Sequence, residues 1–63
     1  MNDMTQEPQN MSRVLLSSNN GVTLSFGYFK DGMYLEDNAK QWRLSSEYDG
    51  WLPISELKKR IHI

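Results

Sequence analysis

At 63 residues with a net charge of -1, this chain has room for a single domain and no surplus of positive charge that would by itself call for nucleic acid. It contains no cysteine and one histidine, His62, which excludes a disulfide framework and a structural zinc site built from four Cys and His ligands. Domains this short bury only about 60% of the surface their unfolded chain exposes. Stability therefore has to come from an aromatic core, from self-association or from a partner.

Residues 1–12 are polar apart from methionine, and Pro8 interrupts any helix, so the segment reads as a disordered N-terminal tail with the domain beginning at Arg13. It has no apolar run of the kind that marks a signal peptide. The expectation is a soluble cytoplasmic protein with no membrane partner. Met11, followed by Ser12, offers an alternative start. The tail carries only Asp3 and Glu7, leaving the remainder of the chain at +1.

Arg13 to Ser17 reads as a first strand, Ser18-Asn19-Asn20-Gly21 as a turn, and Val22 to Phe29 as a second strand. In the second strand Val22, Leu24, Phe26 and Tyr28 share one face. A two-residue Asn20-Gly21 loop sends Val14 and Leu16 to the opposite face; a three-residue loop starting at Asn19 brings them onto it. The three-residue loop hides more apolar area on one side and is the expected one.

Asp31-Gly32 is a two-residue hairpin turn into a third strand, Met33 to Glu36, pairing Phe29 with Tyr34 and Tyr28 with Leu35. After a turn at Asp37-Asn38-Ala39-Lys40, Gln41 to Ser45 reads as a fourth strand presenting Trp42 and Leu44 inward. Glu47-Tyr48-Asp49-Gly50 reads as a loop.

From Trp51 onward the apolar period changes from two to about 3.6 residues. Ile54, Leu57 and Ile61 line one side of a short C-terminal helix. Pro53 suits its first position, and Ser55 suits an N-cap one step later. The expected fold class is α+β, a small antiparallel meander of three to four strands with this helix packed on one face, over Val22, Leu24, Phe26, Leu35 and Trp42.

Side chains suited to catalysis are few. His62 is the penultimate residue, and Ser17, Ser18, Ser45 and Ser46 flank turns, where hydroxyls bond local backbone. Glu36 with Asp37, and Glu47 with Asp49, match no calcium loop, and the glycines form no phosphate cradle. The chain therefore reads as non-enzymatic, with no cofactor and no metal.

What remains is surface. The face away from the helix is expected to show Phe29 beside Tyr34, with Leu15 nearby, as a contact patch for another protein or a second copy. Gly27 qualifies this, because a bulge there would move Phe29 and Tyr34 to the opposite face. A small accessory protein acting through protein–protein contacts, by self-association or target binding on the uncovered sheet face or an edge strand, of the kind phages and prophages encode, is the leading expectation. The alternative is a single-stranded nucleic-acid binder using sheet aromatics with Arg13, Arg43, Lys58, Lys59 and Arg60 on phosphates. Lys58, Lys59 and Arg60 also complement the negative end of the helix dipole.

Overall fold

Two glycine-containing turns set the register of the sheet. In a computed structural model, which describes residues 1–60, Asn20 and Gly21 take φ of 56° and 84°, and Asp31 and Gly32 take 50° and 81°. Both central residues of each turn are thus left-handed, the type I′ geometry whose twist matches that of antiparallel strands. The Val22 amide donates to the Asn19 carbonyl at 3.1 Å and closes the first turn. β1 (Arg13–Ser18) then pairs with β2 (Thr23–Lys30), placing Val14 opposite Gly27 and Leu16 opposite Ser25. This is the register of the two-residue Asn20-Gly21 loop. The expected three-residue loop is corrected, and Val14 and Leu16 lie on the face opposite Leu24 and Phe26.

The second turn gives the expected pairing. β3 (Met33–Glu36) places Tyr34 opposite Phe29 and Leu35 opposite Tyr28. β4 is cut to Arg43–Leu44, and a single 3-10 turn, Ser45–Glu47, follows it. The chain then crosses to the far side of the sheet, where β5 (Gly50–Pro53) pairs antiparallel with β1. The order is β4-β3-β2-β1-β5, so the sheet has five strands where three to four were expected, and only β1 to β4 form a meander. The sequence pattern presents Trp51, Leu52 and Pro53 as the approach to a helix. Their partners lie in β1, far away in sequence, and an unbroken apolar triplet carries no alternation to reveal a strand.

α1 (Ile54–Arg60) starts directly after β5, and its main contacts are with β5 and β1. It does not cover the middle of the sheet, since Leu24 and Phe26 stay exposed. Ile61 and His62, singled out above, lie outside the described residues, as does the side chain of Arg60.

Gly27 sits in β2 between β1 and β3, where any side chain would press on the backbone of β3. A Cβ at this position would stand 2.4 Å from the Leu35 carbonyl oxygen. The glycine marks a close backbone approach rather than a bulge, so the pairing continues unbroken through Phe29 and Tyr34.

The core forms on the face of Val14, Leu16, Phe29, Tyr34 and Trp51, with Tyr48 added from the crossing between β4 and β5. Phe29 and Tyr34 are 3% and 1% exposed, with ring centroids 5.0 Å apart. Tyr48 meets the edge of Tyr34 at 5.6 Å. Fully burying a side chain of this size stabilises by about 1.5–3 kcal/mol, so these few residues carry most of the fold.

Residues 1–12, expected to be a disordered tail, contribute to this layer. Asn2 exchanges two backbone hydrogen bonds with Trp51, at 2.9 and 3.0 Å, and caps the outer edge of β5. The Trp51 indole donates to the Gln6 carbonyl at 2.9 Å, and Met4 packs against the core. Met11 and Ser12 continue the β1 ladder onto Phe29, and the Asn10 side chain brackets Asp31, donating to its carboxylate and accepting from its amide. An edge strand with free amides and carbonyls invites unwanted pairing; here Asn2 occupies that position on β5.

Candidate interaction surface

Antiparallel pairing puts directly opposed residues on the same side of a sheet, so the two faces can be read strand by strand. Opposite the core lies an outer face built in four rows. Gly50, Ser17 and Leu24 form one; Leu52, Leu15 and Phe26 the next; Arg13, Tyr28 and Leu35 the third; Lys30, Met33 and Leu44 the fourth. Leu24 stands beside Phe26 along β2, two residues away.

Five large apolar side chains of this region are open to solvent: Leu24 at 59%, Leu44 at 57%, Phe26 at 43%, Trp42 at 40% and Tyr28 at 36%. Of the outer rows, Leu52, Ser17 and Gly50 are buried, all at the β1 and β5 end. Trp42 closes a shallow cavity of about 260 Å³ with Lys30, Asp31 and Met33. A second cavity, of about 300 Å³, is lined by Leu24, Ser25, Phe26, Glu36, Asp37 and Asn38. β2 is the axis of the patch, presenting Leu24, Phe26 and Tyr28 outward and Gly27 and Phe29 inward.

The surface expected from Leu15, Phe29 and Tyr34 is therefore corrected. Phe29 and Tyr34 pair as the sequence implies, but they pair inside the core. Leu15 projects from the other face and is half-buried beside Phe26. The exposed aromatics are the ones the sequence assigns to the core. Alternation supplied the right sets of residues; which set is covered depends on residues 1–12 and Tyr48, whose packing has no local signal.

The expected basic contacts are scattered. Arg13 lies on the outer face, its guanidinium hydrogen-bonded to Asp37 at 2.8 and 3.2 Å and stacked 4.9 Å from the centroid of Tyr28. Those hydrogen bonds hold its proton more firmly than in a free arginine. Arg43 lies on the inner side, opposite Tyr34, and pairs with Glu47 at 2.9 Å and Glu36 at 3.3 Å. On α1, Lys59 approaches Glu56 at 3.8 Å, and Lys58 is exposed. Arg13 and Arg43 thus point to opposite faces, each engaged by carboxylate.

The inner edge holds one polar network. The Tyr48 hydroxyl donates to Glu36 at 2.9 Å, beside Arg43 and Glu47. Burial, followed by that hydrogen bond and the Glu36 charge, raises the Tyr48 hydroxyl well above the ordinary tyrosine value. Tyr34 is raised as well, by burial and by the charge of Glu7. At the N-terminus, hydrogen bonds from the Thr5 side chain and amide hold Asp3 below the usual carboxylate value. Among the described residues, no group of three or more His, Cys, Asp or Glu side chains converges as a metal site would require. No described helix is long and apolar enough to cross a membrane.

No protein-family model, curated protein or solved structure matches this chain.

Proposed function

We propose that the chain is a small non-enzymatic interaction protein that docks a protein partner on the outer face of β2, β3 and β4. The observation that carries this reading is the exposed apolar patch of Leu24, Phe26, Tyr28, Trp42 and Leu44, on the side of the sheet away from the core. A patch of this extent, roughly 500 Å², is at the upper end of what monomers expose, and the largest patch of a monomer is often its functional surface. A cytoplasmic setting suits a chain without cysteine. Charge is sparse on this face: the Arg13–Asp37 pair crosses β2 over Tyr28 and beside Phe26, and Lys30 and Asp31 lie at its far end.

The test is affinity capture from an extract of the source cells, using the native chain and a Leu24→Ser, Phe26→Ser double variant with matched circular dichroism. The reading expects a partner held by the native chain and lost by the variant. Identical captured sets would remove the outer face from the account.

A second reading rests on the exposure of Phe26, Tyr28 and Trp42, three aromatic rings on which unpaired bases could stack. It is weakened by the carboxylates that engage Arg13 and Arg43. Titration with labelled single-stranded oligonucleotides at low salt separates the two. Binding that falls steeply as salt rises would favour it, and no binding would end it.

A further inference from the structure

We infer that the partner seated on the outer face is a second copy of this chain, packed sheet to sheet about a two-fold axis near Phe26. This rests on the reading of that face as a docking surface and names its occupant.

Three observations converge on the second copy. The first is area. Large side chains present about 150–250 Å² each when free, so the five exposed ones together show on the order of 500 Å². That lies in the upper part of the range for the largest patch on a monomer, about 300–600 Å². Two such patches placed face to face remove on the order of 1,000 Å² from water, the floor for a specific interface and short of the roughly 1,200–2,000 Å² of stable ones. This area predicts a reversible dimer of modest affinity.

The second observation is charge. From Thr23 to Phe29, β2 carries no charged residue. The charges that lie over its outer face, Arg13 stacked on Tyr28 and Asp37 beside Phe26, form one ion pair and add no net charge to the patch. With a net charge of -1, two copies repel one another little. A strongly charged partner would find no complementary field here.

The third is symmetry. A two-fold interface brings each residue i against j and j against i. An axis at Phe26 sets the two Phe26 rings together and lays Leu24 of each copy against Tyr28 of the other. Apolar side chains meet along β2 at the spacing of about 10 Å that stacked sheets adopt, with the Arg13–Asp37 pair of each copy lying across the contact. The flanking Leu15, Met33 and Leu35, half-buried in one copy, widen the contact.

Sedimentation equilibrium on the full chain, from micromolar to near-millimolar concentration, tests this directly. The mass should rise toward twice the monomer value, and Phe26→Asp should stay monomeric with an unchanged far-ultraviolet spectrum; Leu24→Asp serves if the first variant unfolds. Because the native chain lacks cysteine, a Phe26→Cys variant treated with oxidised glutathione should form a disulfide-linked dimer an order of magnitude faster than Ser55→Cys, whose position on α1 is exposed. A native chain that stays monomeric overturns the inference, as does a dimer that Phe26→Asp and Leu24→Asp leave intact. A monomer that still captures a different protein or an oligonucleotide through the patch overturns the second copy alone. A monomer with no patch-dependent binding overturns the docking reading as well.

Discussion

The two faces of this sheet are built from the same kinds of residue and meet opposite fates. Val14, Leu16, Phe29, Tyr34 and Trp51 are buried on one side; Leu24, Phe26, Tyr28 and Leu44 are exposed on the other. Hydrophobicity does not distinguish them, and Phe26 is as apolar as Phe29. The difference lies in what covers each face. Residues 1–12 and Tyr48 lie over the inner side, while α1 sits at the β1 and β5 end and leaves the middle of the outer side open. Burial here follows what the connections cover.

That contrast can be broken most severely at Leu16. Leu16→Ala leaves a cavity in a fully buried site and should cost about 2–5 kcal/mol. A domain of this length has roughly 3–9 kcal/mol in total, so urea titration should find the variant largely unfolded or close to it. Leu24→Ala, on the outer face, should unfold like the native chain in dilute solution. Equal losses at the two positions would erase the distinction between the faces.

Removal of residues 1–10 comes next. It takes away the Asn2 bridge, the Gln6 acceptor of the Trp51 indole and the Met4 contact. The expected loss is roughly 2–3 kcal/mol, with Trp51 fluorescence moving to longer wavelength. A truncated chain as stable as the full one would return the segment to the status of a free tail. Gly27→Ala should cost about 1–3 kcal/mol, because the added carbon meets the Leu35 carbonyl and β2 must shift to admit it. Thermal melting checks this, and an unchanged Tm would contradict the close approach.

The tyrosines sharpen the comparison through pH. Tyr34 and Tyr48 have raised folded-state values, so the folded chain holds their protons more tightly than the unfolded chain does. Their contribution to stability is fully present below the ordinary tyrosine value of about 10 and is lost as pH climbs above it. Urea midpoints should therefore fall above that pH, and Tyr48→Phe should flatten part of the decline. The smallest effect belongs to Asp37→Asn. The Arg13–Asp37 pair is exposed, and a small shift in midpoint that disappears at high salt is expected.

Much of this fold is legible locally, and what is hidden is hidden for a reason. Asp31-Gly32 fixes the pairing of Phe29 with Tyr34 because a two-residue type I′ turn admits one register. Asn20-Gly21 carries the same signal, yet a preference for gathering Val14 and Leu16 with Phe26 argues for the wrong loop. That preference assumes a single apolar face. The fifth strand escapes because Gly50–Pro53 finds its partner in β1, beyond the reach of any sequence window. The N-terminal segment escapes because its composition describes a tail, and its attachments are backbone hydrogen bonds and one methionine. At the candidate surface, the aromatic residues of β2 and β3 stand out in the sequence, but their sidedness does not.

The measurement that bears most directly on the account is equilibrium urea unfolding of Phe26→Asp beside Leu16→Asp, in solution dilute enough to suppress association. The charge at Phe26 should leave the midpoint nearly unchanged, while the charge at Leu16 should abolish the folded state. A Phe26→Asp chain that unfolds as completely as Leu16→Asp would show that the outer face is core after all, and would contradict both the fold described here and the surface proposed on it.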